Sequence, residues 1–116
     1  FHIDGDDLRE LTNNKNYGIE GRVQNVATAQ KIAHYIHNKG RNVVVSLVSP
    51  YIDQREEFKK MIGDELIEIY VHTNEERGRE QYHVNGYQPP LNNFIDVDTT
   101  HDTPEESYKK IISNGR

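Results

Sequence analysis

The chain has 116 residues, a length for one domain rather than two, spanning 1–116. Only 34% of them are hydrophobic and the mean hydropathy is −0.90, which is polar for an α/β domain that buries both faces of its sheet; the expectation is a small core, or one part of which lies outside the sequence. A net charge of −5 argues against nucleic acid or an anionic membrane as partner, and the absence of cysteine excludes disulfides and thiolate metal sites.

No apolar run approaches the ~20 residues that a membrane span needs, and no signal-peptide pattern is present. A soluble cytoplasmic protein is therefore expected. Phe1-His2-Ile3 reads as a strand already in progress, without an initiator Met, so upstream sequence is expected as well.

In chain order, Phe1 to Asp4 reads as a short strand. The apolar positions Val23, Val26, Ala27, Ala29, Ile32, Ala33 and Ile36 predict a helix from Arg22 to Asn38, stopped by Gly40. Asn42 to Ser49 is a β-branched run of the kind expected for a central strand buried on both faces. Asp53 to Ile62 reads as a helix with Phe58, Met61 and Ile62 on one side. Leu66 to His72 reads as the third strand, Asn74 to Tyr82 as a short helix, and Tyr82 to Asn92 as a long loop. Asn93 to Val97 has the look of an edge strand. Thr103-Pro104-Glu105-Glu106 has the residues of a capping box, with Tyr108, Ile111 and Ile112 as the apolar face of the helix that follows. Alternation of this kind predicts an α/β fold with a mostly parallel sheet flanked by helices, and places ligands beyond the carboxyl ends of the strands.

Polar residues at those ends carry the candidate chemistry. Asp4-Gly5-Asp6-Asp7 puts three carboxylates within four residues, a donor set that suits Mg²⁺. Gly5 allows close backbone approach, and Arg9 is suited to a phosphate or sulfate. The alternative for the same segment is an acidic turn that caps a helix. Arg22 and Asn25, three apart, share one side of the predicted first turn and suit an anion and an adenine or ribose edge; as surface residues they need no ligand. Ser49 stands at the end of the second strand, ahead of Pro50, and is equally a turn serine. Of the six histidines, His34 and His37 are three apart, with no third ligand in a fixed pattern. No G-x-x-x-x-G-K-S/T phosphate loop occurs in the sequence.

Taken together, these segments resemble the adenylylsulfate kinase family. Asp4-Gly5-Asp6-Asp7-Leu8-Arg9 is similar to the family's D-G-D-N-x-R, with Asp7 for Asn. Arg22-Val23-Gln24-Asn25 matches an Arg-x-x-Asn pair that opens a helix, and Tyr17-Gly18-Ile19-Glu20 replaces L-G-F-S. Val45-Ser46-Leu47-Val48-Ser49-Pro50-Tyr51 with Arg55 is similar to S-x-I-S-P-Y-x-x-x-R, and Asp96-Val97-Asp98-Thr99 before a Thr-Pro-Glu-Glu helix also fits. The resemblance implies a P-loop kinase-like three-layer domain lacking its first strand and helix. It implies MgATP-dependent phosphorylation of the 3′-hydroxyl of adenosine 5′-phosphosulfate. Asp4 and Asp6 would then serve the acceptor hydroxyl, with Asp6 on the Mg²⁺; Arg9, Arg22, Asn25, Val48 and Ser49 would hold the acceptor.

Two departures stand out. The phosphate loop is missing, and the family's R-D-x-K-G-L-Y lid is shortened to Glu76-Arg77-Gly78-Arg79-Glu80-Gln81-Tyr82, from which Arg77 or Arg79 would approach the ATP adenine. They leave two alternatives open: a kinase for another nucleotide or small hydroxyl acceptor, and a non-catalytic adenine-nucleotide-binding module. If the chain begins at Phe1, an uncovered sheet face and edge would favour a homodimer.

Overall fold

The computed structural model describes residues 1–73 and 86–114. Its elements are β1 (His2–Asp4), α1 (Gly5–Thr12), α2 (Ile19–Asn38), β2 (Val44–Ser46), α3 (Ile52–Ile62), a 3-10 turn (Gly63–Glu65), β3 (Ile69–His72), β4 (Ile95–Asp98) and α4 (Pro104–Asn114). They form two compact units, Phe1–Ile62 and Gly63–Arg116. Both are α/β, and both strand pairs are parallel.

In the first unit β1 pairs with β2 in the register His2↔Val44, Ile3↔Val45, Asp4↔Ser46. The core is Leu8 of α1 against Val26, Ala29 and Ala33 of α2, with Pro50 fully buried. Burial of Leu8 or Val26 contributes about 1.5–3 kcal/mol each; the alanines let α2 approach closely. Gly5 is needed where β1 turns into α1, because a Cβ there would lie 2.7 Å from the Cβ of Leu47. Gly40, with φ of 79°, takes the left-handed conformation that ends α2, and its amide donates to the His37 carbonyl at 2.9 Å.

Two expectations fail here. The run Asn42 to Ser49 yields a strand of only Val44–Ser46, and it is exposed throughout, with Val44 at 61%. A β-branched run signals extended backbone, but burial on both faces needs a layer on each. The two-stranded sheet has no second ladder along β2 among the described residues. Helix α2 begins at Ile19, not Arg22, with Gly18 as its N-cap. Arg22 and Asn25 therefore lie at the end of the first turn and in the second, beyond the free amides of the helix start.

In the second unit β3 pairs with β4, Ile69↔Ile95 through His72↔Asp98, and α4 packs on β4. Val97 and Ser107 are buried between them. Strand β4 starts two residues later than its apolar pattern suggests, because Asn93 sits at a positive φ of 51°, outside the extended region. Likewise β3 starts at Ile69, after the 3-10 turn. The predicted capping box forms: the Glu106 amide donates to Thr103 Oγ1, and the Thr103 amide to Glu106 Oε1, both at 3.2 Å. Tyr108 and Ile112 do not form the buried face expected of them; each is 61% exposed, and Ser107 points inward instead. The predicted helix from Asn74 to Tyr82 and most of the loop after it lie outside the described residues.

Candidate active site at the carboxyl ends of β1 and β2

Parallel pairing brings the ends of β1 and β2 level, since Asp4 and Ser46 are register partners. Asp4 closes β1 and caps α1: its Oδ2 accepts the amides of Asp6 and Asp7, each at 3.1 Å. The capping reading of the acidic segment thus forms, and it uses one of the two carboxylate oxygens of Asp4. Asp6 and Asp7 are exposed in the first turn of α1, where the helix dipole favours negative charge.

Asn25 ties α2 to this corner. Its Nδ2 donates to the Gly5 carbonyl at 3.4 Å, and the residue is only 7% exposed. Its Oδ1 is buried without a hydrogen-bond partner among the described residues. Arg22, one helical turn earlier, is half-buried, and its guanidinium bonds to nothing among the described residues. Arg9 behaves otherwise: its head group is engaged by Asn14, Asn16 and the Tyr17 ring.

From β2, the chain passes Leu47 beside Gly5 and reaches Val48, which is exposed, and Ser49. The Ser49 carbonyl accepts from Arg55 Nη1 at 2.7 Å, which fixes the turn into α3. The Ser49 hydroxyl is buried and, like Asn25 Oδ1, unpartnered. A buried polar atom without a partner costs roughly 1–3 kcal/mol, so such atoms mark places where another group belongs. The first unit has a third, Gln54 Oε1, which sequence reasoning missed. Gln54 joins α3 to α2 by donating to the Val23 carbonyl at 3.0 Å, a partnership with no signature in the sequence. His2 was also passed over; its Nε2 lies 2.9 Å from Ser46 Oγ.

Asp4 and Asp6 offer hard carboxylate oxygens of the type Mg²⁺ takes when substrate phosphates and waters complete its shell. No three His, Asp or Glu side chains gather into a closed metal cage among the described residues.

The second unit carries its own polar strand ends. Asp98 accepts from the Thr100 hydroxyl at 2.5 Å and the Thr100 amide at 2.9 Å, which hold its carboxyl below the usual range. His72 Nε2 meets Asp96 Oδ1 at 2.8 Å, and its ring stacks on Tyr70, which in turn stacks on Tyr87. The period-2 spacing of Tyr70 and His72 was the available signal. Arg77 and Arg79 lie outside the described residues.

A sequence model of adenylylsulphate kinase matches residues 1–111. The chain belongs to the adenylylsulphate kinase family. It is 30% identical to an adenylyl-sulfate kinase of Staphylococcus epidermidis over 97% of this chain and 66% of the relative. Against an adenylyl-sulfate kinase of Pseudomonas aeruginosa it is also 30% identical, over 91% of this chain and 57% of the relative. A cytidine diphosphoramidate kinase of Campylobacter jejuni is 25% identical over 98% of the chain and 68% of its own length. The chain thus spans about two thirds or less of the length of the first two relatives. No helix among the described residues of this adenylylsulphate kinase family member is long and apolar enough to cross a membrane.

Proposed function

We propose that this chain carries the acceptor side of a kinase site that phosphorylates the 3′-hydroxyl of adenosine 5′-phosphosulfate. The observation that carries the reading is a set of groups in one unit that are unengaged among the described residues, Asn25 Oδ1, Ser49 Oγ and the Arg22 guanidinium, together with the Asp4 and Asp6 carboxylates at the junction of β1 and α1. An acceptor lying across this corner would meet the half-buried Arg22 directly, and would reach Asn25 Oδ1 and Ser49 Oγ, both closed to solvent, on movement of the side chains that cover them. Asn25 can meet the nucleoside, and Arg22 the acidic ester groups by charge-assisted hydrogen bonds. Val48 gives the apolar floor, and Ser49 Oγ a polar contact beside it.

Phosphoryl transfer asks mainly for positioning and charge neutralisation. Asp4 and Asp6 are the groups proposed to take the proton of the attacking hydroxyl. Asp6 is the proposed Mg²⁺ ligand, and the ion would neutralise charge on the ATP phosphates. Since the chain contains no G-x-x-x-x-G-K-S/T segment, the described residues are assigned no contact with the ATP phosphates. Arg77 and Arg79 are proposed for its adenine. A cytoplasmic place in sulfate assimilation, where ATP is available, and a homodimer complete the reading.

Calorimetric titration of adenosine 5′-phosphosulfate into the wild type and an Arg22→Ala, Asn25→Ala double variant tests it. Saturable binding that the double variant loses supports the acceptor assignment. Absence of binding by folded wild type overturns it. The Campylobacter relative, named for a cytidine nucleotide acceptor, favours one second reading. A cytidine diphosphoramidate titration in parallel distinguishes it, and binding of ATP with neither acceptor bound would favour a non-catalytic module.

A further inference from the structure

Helices α2 and α3 are joined by two glutamines, each bonding to the backbone of the other helix. Gln54, at the start of α3, donates from Nε2 to the Val23 carbonyl at 3.0 Å. Gln30 donates from Nε2 to the Gln54 carbonyl at 3.4 Å. Val23 and Gln30 are seven residues apart, about two helical turns, and so lie on one face of α2. Both glutamines are half-buried.

This brace reaches groups on both sides of the proposed acceptor corner. Val23 follows Arg22 in the chain and stands two residues before Asn25. Arg55, next to Gln54, donates from Nη1 to the Ser49 carbonyl at 2.7 Å. The start of α3 thus bonds both to the stretch of α2 that carries Arg22 and Asn25 and to the residue that carries the buried Ser49 hydroxyl.

The Gln54 amide adds little to stability. Its Nε2 gains a bond, while its Oε1 is buried without a partner among the described residues. The gain from a neutral hydrogen bond and the loss from a stranded acceptor are of similar size and nearly cancel. What the side chain supplies is placement, because a hydrogen bond restricts distance and angle together.

We infer that Gln54 is a positioning residue for the acceptor: with Gln30 it braces α3 against α2, and so sets the spacing between Arg22 and Asn25 on one helix and Ser49 at the entry to the other. The link to the acceptor rests on the acceptor reading above; the brace itself does not.

Urea denaturation of the ligand-free protein tests the brace, using Gln54→Met, Gln30→Met and the double variant. Methionine keeps the reach of the side chain without its amide. If the two bonds form together, cutting either releases both, and the double variant loses less stability than the two single losses added. Losses that simply add would leave two independent bonds and overturn the brace.

Calorimetric titration of adenosine 5′-phosphosulfate into the same proteins tests the positioning. Each single variant is expected to bind roughly three- to ten-fold more weakly, the worth of about one net hydrogen bond. The double variant should bind no more weakly than the weaker single. Gln30 lies about 12 Å along the helix from Arg22, so a loss in Gln30→Met is not a lost ligand contact. In an Arg22→Lys background, Gln54→Met should cost a smaller factor than in wild type, because it acts through Arg22.

Wild-type affinity in Gln54→Met overturns the proposal. A loss there beside wild-type affinity in Gln30→Met would make Gln54 a direct ligand and also overturn it, as would an equal cost in both backgrounds. Should Gln54→Met fail to fold, Gln30→Met carries the same test in both backgrounds. If wild type does not bind, the acceptor reading falls, and the denaturation cycle still decides the brace.

Discussion

The side-chain amide of Asn25 donates to the carbonyl of Gly5, so that the second turn of α2 and the first residue of α1 share one hydrogen bond. Asn25→Ala leaves that carbonyl without its partner. The expected cost is about 1 kcal/mol of stability, measured by urea denaturation without ligand. A variant as stable as wild type would mean that removing the unpartnered Oδ1 offsets the lost bond.

Gly5→Ala is expected to destabilise by about 1–3 kcal/mol, because its methyl would press on Leu47. Leu47→Gly in the same chain, which removes the Cβ it would meet, should recover part of the loss. A double-mutant cycle in thermal denaturation reads the coupling; strict additivity would place the clash elsewhere.

Thr103→Ala removes the hydroxyl that accepts the Glu106 amide at the start of α4. A loss of about 1 kcal/mol is expected, with Thr103→Ser close to wild type. Far-UV circular dichroism during denaturation distinguishes the two.

Asp98 provides a pH test. Its folded pKa lies below the unfolded value, first because of the Thr100 hydroxyl and then the Thr100 amide; His72 and Lys110 add smaller attractions. Its contribution to stability is therefore present above the unfolded pKa and is lost as pH falls through the folded one. Thr100→Ala should destabilise near neutral pH, and the gap to wild type should narrow in acid. A gap independent of pH would assign the effect to the hydroxyl's packing.

Much of the order of elements was legible because those elements have local causes, whereas α1 entered only as the alternative reading of the acidic segment. Thr103 with Glu106 announces α4, Gly40 ends α2, and the alanines of α2 repeat at helical spacing. The start of α2 was not legible: Gly18 caps it without a side-chain hydrogen bond, and Gly21, a poor helix former, follows, so Arg22 looked like the beginning. The exposure of Val44 was hidden for another reason, since a strand's burial depends on neighbours the strand does not encode. Around the candidate site, Asp4, Arg22, Asn25 and Ser49 could be nominated from motif order. The His72–Asp96 and His2–Ser46 pairs could not, because they depend on strand register, which a single sequence leaves open.

Asp4 ends a strand, begins a helix and is a proposed participant in proton transfer, and one carboxylate carries all three. Selection on folding and selection on chemistry therefore act on the same few atoms. A lineage that abandoned the reaction would still be held to an acceptor at this position, so an aspartate here can outlast the activity it once served. Asparagine is the replacement that would separate the two histories, keeping the cap and surrendering the charge.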